Sequence, residues 1–354
     1  HTYFGTKYVG SLYAQENYDF SEKLSTQATA QVRFQNFSFE RDNIGVFTGL
    51  NYDVDYLFFS PRIGFTYDVN ENFDLYTNFA VASRTPTDKA IFDGDTPDPG
   101  ELPNLEVVDS MMVDGAMQYQ FGDPTVESER VTDIELGLTY RDSKAAIDFN
   151  LYHMNYKNMI VAEGGVTDGI YNSLNVDRVV HSGIEVATTY KFSNKISLTS
   201  NFAYNHNRVK EFKTTIYTID YMNSAEVDFS DKKVSRYPEI LANIIADYNN
   251  EKFRFTYYGN YIGKQYSDLY NIEELAIDPV FVSSIAVELK LGKFMGAGNL
   301  LFSTRVDNLF SKKYESAVAY AENYVTGTGD VEGWSTFYVA SELSFFSQLK
   351  MEMF

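Results

Sequence analysis

The chain's whole complement of imidazole is His1, His153, His181 and His206, and it has no cysteine. No histidine has a second at metal-ligand spacing, so each reads as a loop or structural residue, and thiolate chemistry and disulfides are excluded. Ser200 and His206 would suggest hydrolysis, but both fall on one side of a strand and six intervening steps of extended chain hold them far apart. The acid pairs Glu226/Asp228 and Asp93/Asp95 could take calcium weakly, and solvated loop acids are the simpler reading. What remains is binding. Met111, Met112, Met117, Tyr119 and Phe121 place polarisable and aromatic side chains in one long segment and are the candidates for ligand contact, with internal packing of that segment as the competing role. Arg62, Arg254 and Arg305 are candidates for touching whatever fills the interior of the fold. No catalytic residue, cofactor or resident metal is expected.

These residues are carried by zigzag elements. Ile196, Leu198, Ser200, Phe202 and Tyr204 fall on one side of an extended strand, and Ser197, Thr199, Asn201, Ala203 and Asn205 on the other. The pattern recurs at Phe59 to Tyr67, Phe73 to Val81, Ile134 to Tyr140, Ile147 to Tyr152, Ile184 to Tyr190, Phe253 to Tyr261 and Phe281 to Leu291, with no segment that reads as a covering layer. A sheet with lipid on one face and water on the other fits this, because only alternate residues then need to be apolar. With 28 Tyr and 28 Phe among 354 residues, the chain also has the side chains that favour a membrane boundary. No apolar run approaches the roughly 18 residues of a transmembrane helix. The net charge of −20 argues against nucleic acid or an anionic membrane surface as partner.

Connections alternate, tight near residues 21, 70, 142, 194, 250 and 295 and long near 48, 108, 165, 223, 272 and 323. That asymmetry belongs to outer-membrane barrels, and it predicts an all-β transmembrane antiparallel barrel with about 13 strands in this chain. Irregular loops are expected at Arg41 to Asp55, Glu163 to Gly169, about 212 to 234 and Ser311 to Ser335, and a last strand from Thr336 to the C-terminus. The long extracellular loop at about 87–130, with Pro97, Pro99, Pro103 and Pro124 and an apolar patch around Val107, Val108, Met111 and Met112, is expected to fold as a lid. Arg62, Asp74, Glu135, Asp148, Arg254, Glu288, Lys290, Arg305 and Glu342 all take the polar register, and Arg208 lies at a strand end. A Lys or Arg facing lipid at the bilayer centre would cost about 2–4 kcal/mol.

Several segments then acquire a family likeness. Phe59-Ser60-Pro61-Arg62-Ile63-Gly64-Phe65 through Ser83-Arg84-Thr85-Pro86 resembles the barrel of TonB-dependent outer-membrane receptors before a long loop. Gly122-Asp123-Pro124 through Ser128-Glu129, then Glu135-Leu136-Gly137, is similar to the strand that reopens that barrel. Asn150-Leu151-Tyr152 through Tyr156, Asn175-Val176 and Gly183-Ile184-Glu185 resemble its next segment. Val306-Asp307-Asn308-Leu309-Phe310 with Tyr314 resembles a late strand end. Phe354 matches the family's aromatic terminus, although on the polar parity, whereas Phe337, Val339, Leu343, Phe345, Leu349, Met351 and Met353 share the apolar one.

The resemblance implies a barrel of about 22 strands, of which residues 1–354 are the C-terminal portion. Roughly nine strands, the plug domain and the TonB box would then lie outside this chain, and its first residue would be a processed or truncated start. Open sheet edges in lipid cost several kcal/mol per unpaired group, so the N-terminal part of the same receptor is expected to pair with them, as a second polypeptide. The implied function is active uptake of a ferric chelate, haem, cobalamin or glycan across the bacterial outer membrane. Partners would be TonB through the plug, outer-membrane lipid and a surface lipoprotein, with no nucleic acid. Arg62, Arg254 and Arg305 would face plug or lumen. The alternatives are a structural or docking subunit of a larger outer-membrane assembly, and a self-closed passive channel of about fourteen strands.

Overall fold

The computed structural model describes residues 3–41, 50–87, 91, 105–113, 116–167, 170–218, 222–294, 298–326 and 331–353. In chain order the strands are β1 (Tyr3–Asp19), β2 (Leu24–Arg41), β3 (Leu50–Asn70), β4 (Phe73–Arg84), β5 (Leu105–Val113), β6 (Ala116–Pro124) and β7 (Glu129–Arg141). Next come β8 (Ala145–Thr167), β9 (Ile170–Lys191), β10 (Ile196–Glu211), β11 (Lys213–Tyr217), β12 (Ser224–Asp228) and β13 (Ile240–Asn249). The remainder are β14 (Phe253–Ile262), β15 (Val280–Phe294), β16 (Gly298–Asp307), β17 (Glu315–Val325), β18 (Val331–Val339) and β19 (Ser344–Met353). Thirteen of them form one antiparallel sheet in the order β1-β2-β3-β4-β7-β8-β9-β10-β13-β14-β15-β16-β19, while β5-β6, β11-β12 and β17-β18 are hairpins within the long connections. Among the described residues β1 and β19 are the two ends of the sheet and do not pair with each other, as a self-closed channel of about fourteen strands would require.

Tight turns repeat one device. The side-chain oxygen of Ser21, Asn70, Asp142, Ser193 or Asn250 accepts hydrogen bonds from the backbone N–H groups two and three residues later, as Asp142 does from Lys144 (2.7 Å) and Ala145 (2.6 Å). Ser, Asn and Asp are chosen there because they can mimic a backbone turn. Aromatic pairs flank four of these turns, Tyr18 with Phe20, Phe73 with Tyr140, Tyr190 with Phe192 and Tyr248 with Phe253, at 4.7–5.4 Å between centroids. Aromatic rings beside strand-end turns suit a membrane–water boundary.

Burial is inverted relative to a soluble sheet. Along β4 the apolar Phe73, Leu75 and Phe79 are exposed and Asp74, Tyr76 and Asn78 are half-buried. Leu136 is 54% exposed and Phe345 75%. Buried apolar clusters lie instead at the long-loop ends. Two compact units divide the contacts, the first comprising residues 1–65, 78–134 and 154–179, the second 66–77, 135–153 and 180–354. The first holds Phe37, Val54, Ile91 and Leu105 with Tyr52, Tyr56, Phe121 and Val126. The second packs Ile277 and Val318 with Phe337, and separately Phe212 on Phe229 and Phe229 on Tyr270.

Several expectations need correction. β3 starts at Leu50, inside the segment expected to be a loop to Asp55, because Tyr52, Val54 and Tyr56 have a covered face there. Strand β8 runs through Glu163 to Thr167. A span needs about 9–11 residues, so the 21, 23 and 22 residues of β3, β8 and β9 extend well past one. The segments 212–234 and 311–335 hold hairpins rather than irregular loop. Thr336 to Val339 belongs to β18, the last sheet strand starts at Ser344, and Phe337 and Val339 therefore do not continue its parity. Glu342 is not in a strand, and its carboxylate lies 3.5 Å from Lys313. Phe354 and the turn near 295 lie outside the described residues.

Candidate functional site

On the polar parity of the second unit the strands present a hydrogen-bonded wall. Asn260 donates to Asn243, and Asn243 to Asn201 at 2.6 Å, an amide ladder across β14, β13 and β10. Two rows nearer the tight turns, Asp247 Oδ2 accepts from Arg254 Nε (2.6 Å) and Thr256 Oγ1 (2.9 Å). Arg305 Nε donates to Asp307 Oδ1 at 2.7 Å, with its guanidinium 4.9 Å from the centre of the Tyr258 ring. Arg254 and Arg305 thus come together in a depression of about 210 Å³ that Thr256, Tyr258, Glu288 and Ser303 also line. Each guanidinium is fixed by its Nε, which leaves its outer nitrogens aimed for a further acceptor.

Two glycines of the family-like segments gain a physical reason. A Cβ on Gly137 would stand 2.0 Å from Tyr76 Cζ, and one on Gly183 would stand 2.4 Å from the Tyr204 carbonyl oxygen and 2.5 Å from the Tyr152 hydroxyl. A ring laid over a neighbouring strand's glycine pins register.

In the first unit, segments far apart in sequence meet at the base of the long loop. Arg84 Nη2 lies 2.9 Å from Glu129 Oε2, which also accepts the Ile160 N–H at 2.8 Å. Asn175 accepts from the Glu127 N–H (2.9 Å) and donates to the Glu127 and Asn158 carbonyls (3.0 Å each). Sequence reasoning missed this lock; its signal was that Arg84, Glu129 and Asn175 each fall within one of the family-like segments. Arg62 donates to Asn78 at 3.1 Å in the same unit.

Above the lock stands the hairpin of β5 and β6. Met112 pairs with Met117 and Ser110 with Tyr119, so Met112, Met117, Tyr119 and Phe121 share one face and Met111, paired with Gln118, takes the other. Phe121 stacks with Tyr119 (6.1 Å) and meets Tyr52 edge-on (6.5 Å), which roots the hairpin in the buried cluster. Met111 and Met112 are exposed.

In the second unit a charged chain ties two connections and the end of β10 together. Glu239 bridges Arg208 (2.7 Å) and Lys233 (2.9 Å), Lys233 lies over the Tyr266 ring, and Glu273 accepts from Tyr266 (2.8 Å) and from Lys264. Burial pushes the Glu239 carboxyl up, but Lys233 and Arg208 together hold it below its ordinary value. Bonds from Lys264 and Tyr266 likewise lower Glu273. Elsewhere Ser200 shares a hydrogen bond with Thr188 (2.7 Å), and Lys213 sits 3.9 Å from Glu226 and 3.4 Å from Asp228, so those acids face an ammonium. His153 bonds Ser182 at 2.7 Å, and His181 packs edge-on against Tyr237. Among the described residues no three His, Asp or Glu side chains are arranged to hold a metal. Asp93 and Asp95 lie outside the described residues.

A family model described as TonB dependent receptor-like, beta-barrel matches residues 2–309. The chain belongs to the TonB-dependent receptor family. Its fold is that family's barrel, as the barrel part only. Solved structures agree on the fold: the ferric yersiniabactin uptake receptor FyuA of Yersinia pestis (13% identity, TM-score 0.65, 99% of this chain and 46% of that one), the ferric citrate transporter FecA (15%, 0.68, 98% and 45%) and the copper transporter OprC (13%, 0.67, 98% and 48%). This chain spans less than half the length of those structures. No curated protein matches it. Family members of this kind are transport receptors of the bacterial outer membrane.

Proposed function

We propose that this TonB-dependent receptor barrel sits in the outer membrane and takes up a scarce nutrient, a ferric chelate, haem, cobalamin or glycan, under force transmitted by TonB. The observation that carries the reading is the inward-parity wall. Asparagine amides, Arg254, Arg305 and the carboxylates around Tyr76, namely Glu135, Asp148 and Glu185, make a surface that a polar occupant satisfies better than an empty channel would. Here that occupant is the plug, supplied with the remaining strands by the N-terminal part of the same receptor, and Arg62, Arg254 and Arg305 are its contacts. Met111, Met112, Met117, Tyr119 and Phe121 are the residues of the extracellular hairpin that meet the ligand, Phe121 chiefly by holding the hairpin in place. Outer-membrane lipid covers the apolar parity, and a surface lipoprotein is a candidate accessory partner.

The test is uptake of radiolabelled nutrients by cells with and without the whole receptor, before and after collapse of the proton-motive force. Receptor-dependent accumulation that stops when the force is collapsed supports active uptake. Accumulation unaffected by that collapse, or none for any nutrient, overturns it and leaves the docking-subunit alternative.

A further inference from the structure

We propose that β5 is a docking strand that captures an extended, cationic and partly apolar peptide by adding it as a third strand beside β5 and β6. Seven consecutive residues of β5, Glu106 to Met112, are exposed, so neither of its faces is covered. Four of them, Val107, Val108, Met111 and Met112, are large and apolar. Among the described residues β5 pairs with β6 alone, so its outer edge presents backbone groups to a guest strand, apart from the Ser110 N–H, which Asp109 Oδ1 accepts at 2.8 Å. The β5–β6 register shifts between Leu105 and Val107 and again between Val107 and Asp109, so the regular edge runs from Asp109 to Val113, about 17 Å at 3.3 Å per residue, and gains affinity from main-chain hydrogen bonds and selectivity from alternate side chains.

Charge names the guest. Residues 87–128 hold ten Asp and Glu against a single Lys, and Glu106 and Asp109 stand on β5 itself. These carboxylates oppose pairing of the hairpin with a copy of itself and complement lysine or arginine on an incoming strand. Position names the source. The hairpin is rooted through Leu105 and Phe121 against Phe37, Val54 and Tyr56. On β3, Val54 and Tyr56 share the parity of Arg62, opposite the lipid-type Phe59 and Ile63. A strand bound to β5 is therefore held on the inward side, where cargo enters, which commits the guest to a free oligopeptide; this step rests on the active-uptake part of the reading above and adds a cargo class to those named there.

The test is equilibrium binding, by fluorescence anisotropy, of a labelled heptapeptide of alternating lysine and valine to the whole receptor purified in detergent. Saturable binding is expected, falling at least tenfold when alternate peptide amides are N-methylated, when glutamate replaces lysine, or in the receptor variant V108S/M112S, whose altered side chains are exposed. Absence of saturable binding up to millimolar peptide, or equal binding of the N-methylated peptide, overturns the inference. Because no energised membrane is involved, a receptor that binds the peptide but transports nothing supports this inference and strikes only the uptake reading. One that transports another nutrient yet ignores the peptide strikes this inference alone.

Discussion

Alanine at Gly137 and at Gly183 should destabilise the barrel in different ways, because the obstacles differ. A methyl on Gly137 would fall 2.0 Å from Tyr76 Cζ, 2.2 Å from Cε1 and 2.4 Å from the hydroxyl. Carbon atoms rest at about 3.5–4.0 Å, so the ring must retreat by roughly 1.5 Å. Every obstructing atom belongs to one rotatable side chain. At Gly183 the nearest atom is the Tyr204 backbone oxygen at 2.4 Å, which no rotamer change can move, with the Tyr152 hydroxyl behind it at 2.5 Å. Overpacking of this kind costs about 1–3 kcal/mol, with G183A toward the upper end because two strands must part. The decisive assay is a pair of double-mutant cycles on the receptor, unfolded by urea in detergent or lipid vesicles. Y76A should restore G137A to within about 0.5 kcal/mol of Y76A alone. Y152A should leave most of the G183A loss in place, since the carbonyl remains and Tyr152 also gives up its 2.5 Å bond to Asn205. Equal loss for G137A with and without Tyr76, or full rescue of G183A by Y152A, would refute the reasoning.

L136K puts an ammonium on the lipid parity and should cost about 2–4 kcal/mol in vesicle folding assays, whereas E135K, one residue away on the other parity, should cost under about 1. E239Q should weaken the hold on Arg208 and Lys233 by roughly 1–3 kcal/mol and speed hydrogen exchange across residues 229–239. The folded carboxyl of Glu239 lies below its unfolded value, so its contribution is full above the ordinary carboxylate range near 4.3 and is lost as pH falls through the depressed folded value. Exchange in that loop should therefore stay protected at pH 5 and rise only in stronger acid. F121A should loosen the hairpin by about 1–3 kcal/mol, seen as faster proteolysis between β5 and β6, while M112A, removing an exposed side chain, should leave the cleavage rate unchanged.

The parts of the fold legible in the sequence were those governed by a single solvent boundary. Where strands cross the span, lipid on one side and polar groups on the other impose period two, and Phe73 to Val81 or Phe253 to Tyr261 declare both element and face. The tight turns were legible because Asn, Asp or Ser must stand at their first position. Legibility failed where a third environment enters. Above the span the inward parity of β3 turns apolar at Tyr52, Val54, Tyr56 and Phe58, because the β5–β6 hairpin or its neighbours cover it, and the run Tyr56-Leu57-Phe58-Phe59 then loses its alternation. The same loss hid the start of β3 and merged β18 with β19. Of the site residues, the sequence singled out Arg254 and Arg305 but not that one depression holds both, since two intervening strand pairings decide it. The Arg84–Glu129–Ile160 lock was out of reach for the same reason.

Charge is distributed by the same rule that distributes apolar side chains. Along the wall of the span each of Arg141, Arg254 and Arg305 has a carboxylate within 3.1 Å, namely Asp148, Asp247 and Asp307. A partly desolvated charge there is tolerable only when paired. The chain's net charge of −20 then rests on acids outside these pairs, and residues 87–128 contribute ten acids against one Lys. Glu106 and Asp109, both exposed on β5, add a negative potential there that draws cations and slows anions, within a Debye length of about 8 Å at physiological salt. Pairing thus neutralises Arg141, Arg254 and Arg305 one by one, whereas Arg62 donates to the neutral Asn78 and keeps its charge for a further acceptor of opposite sign.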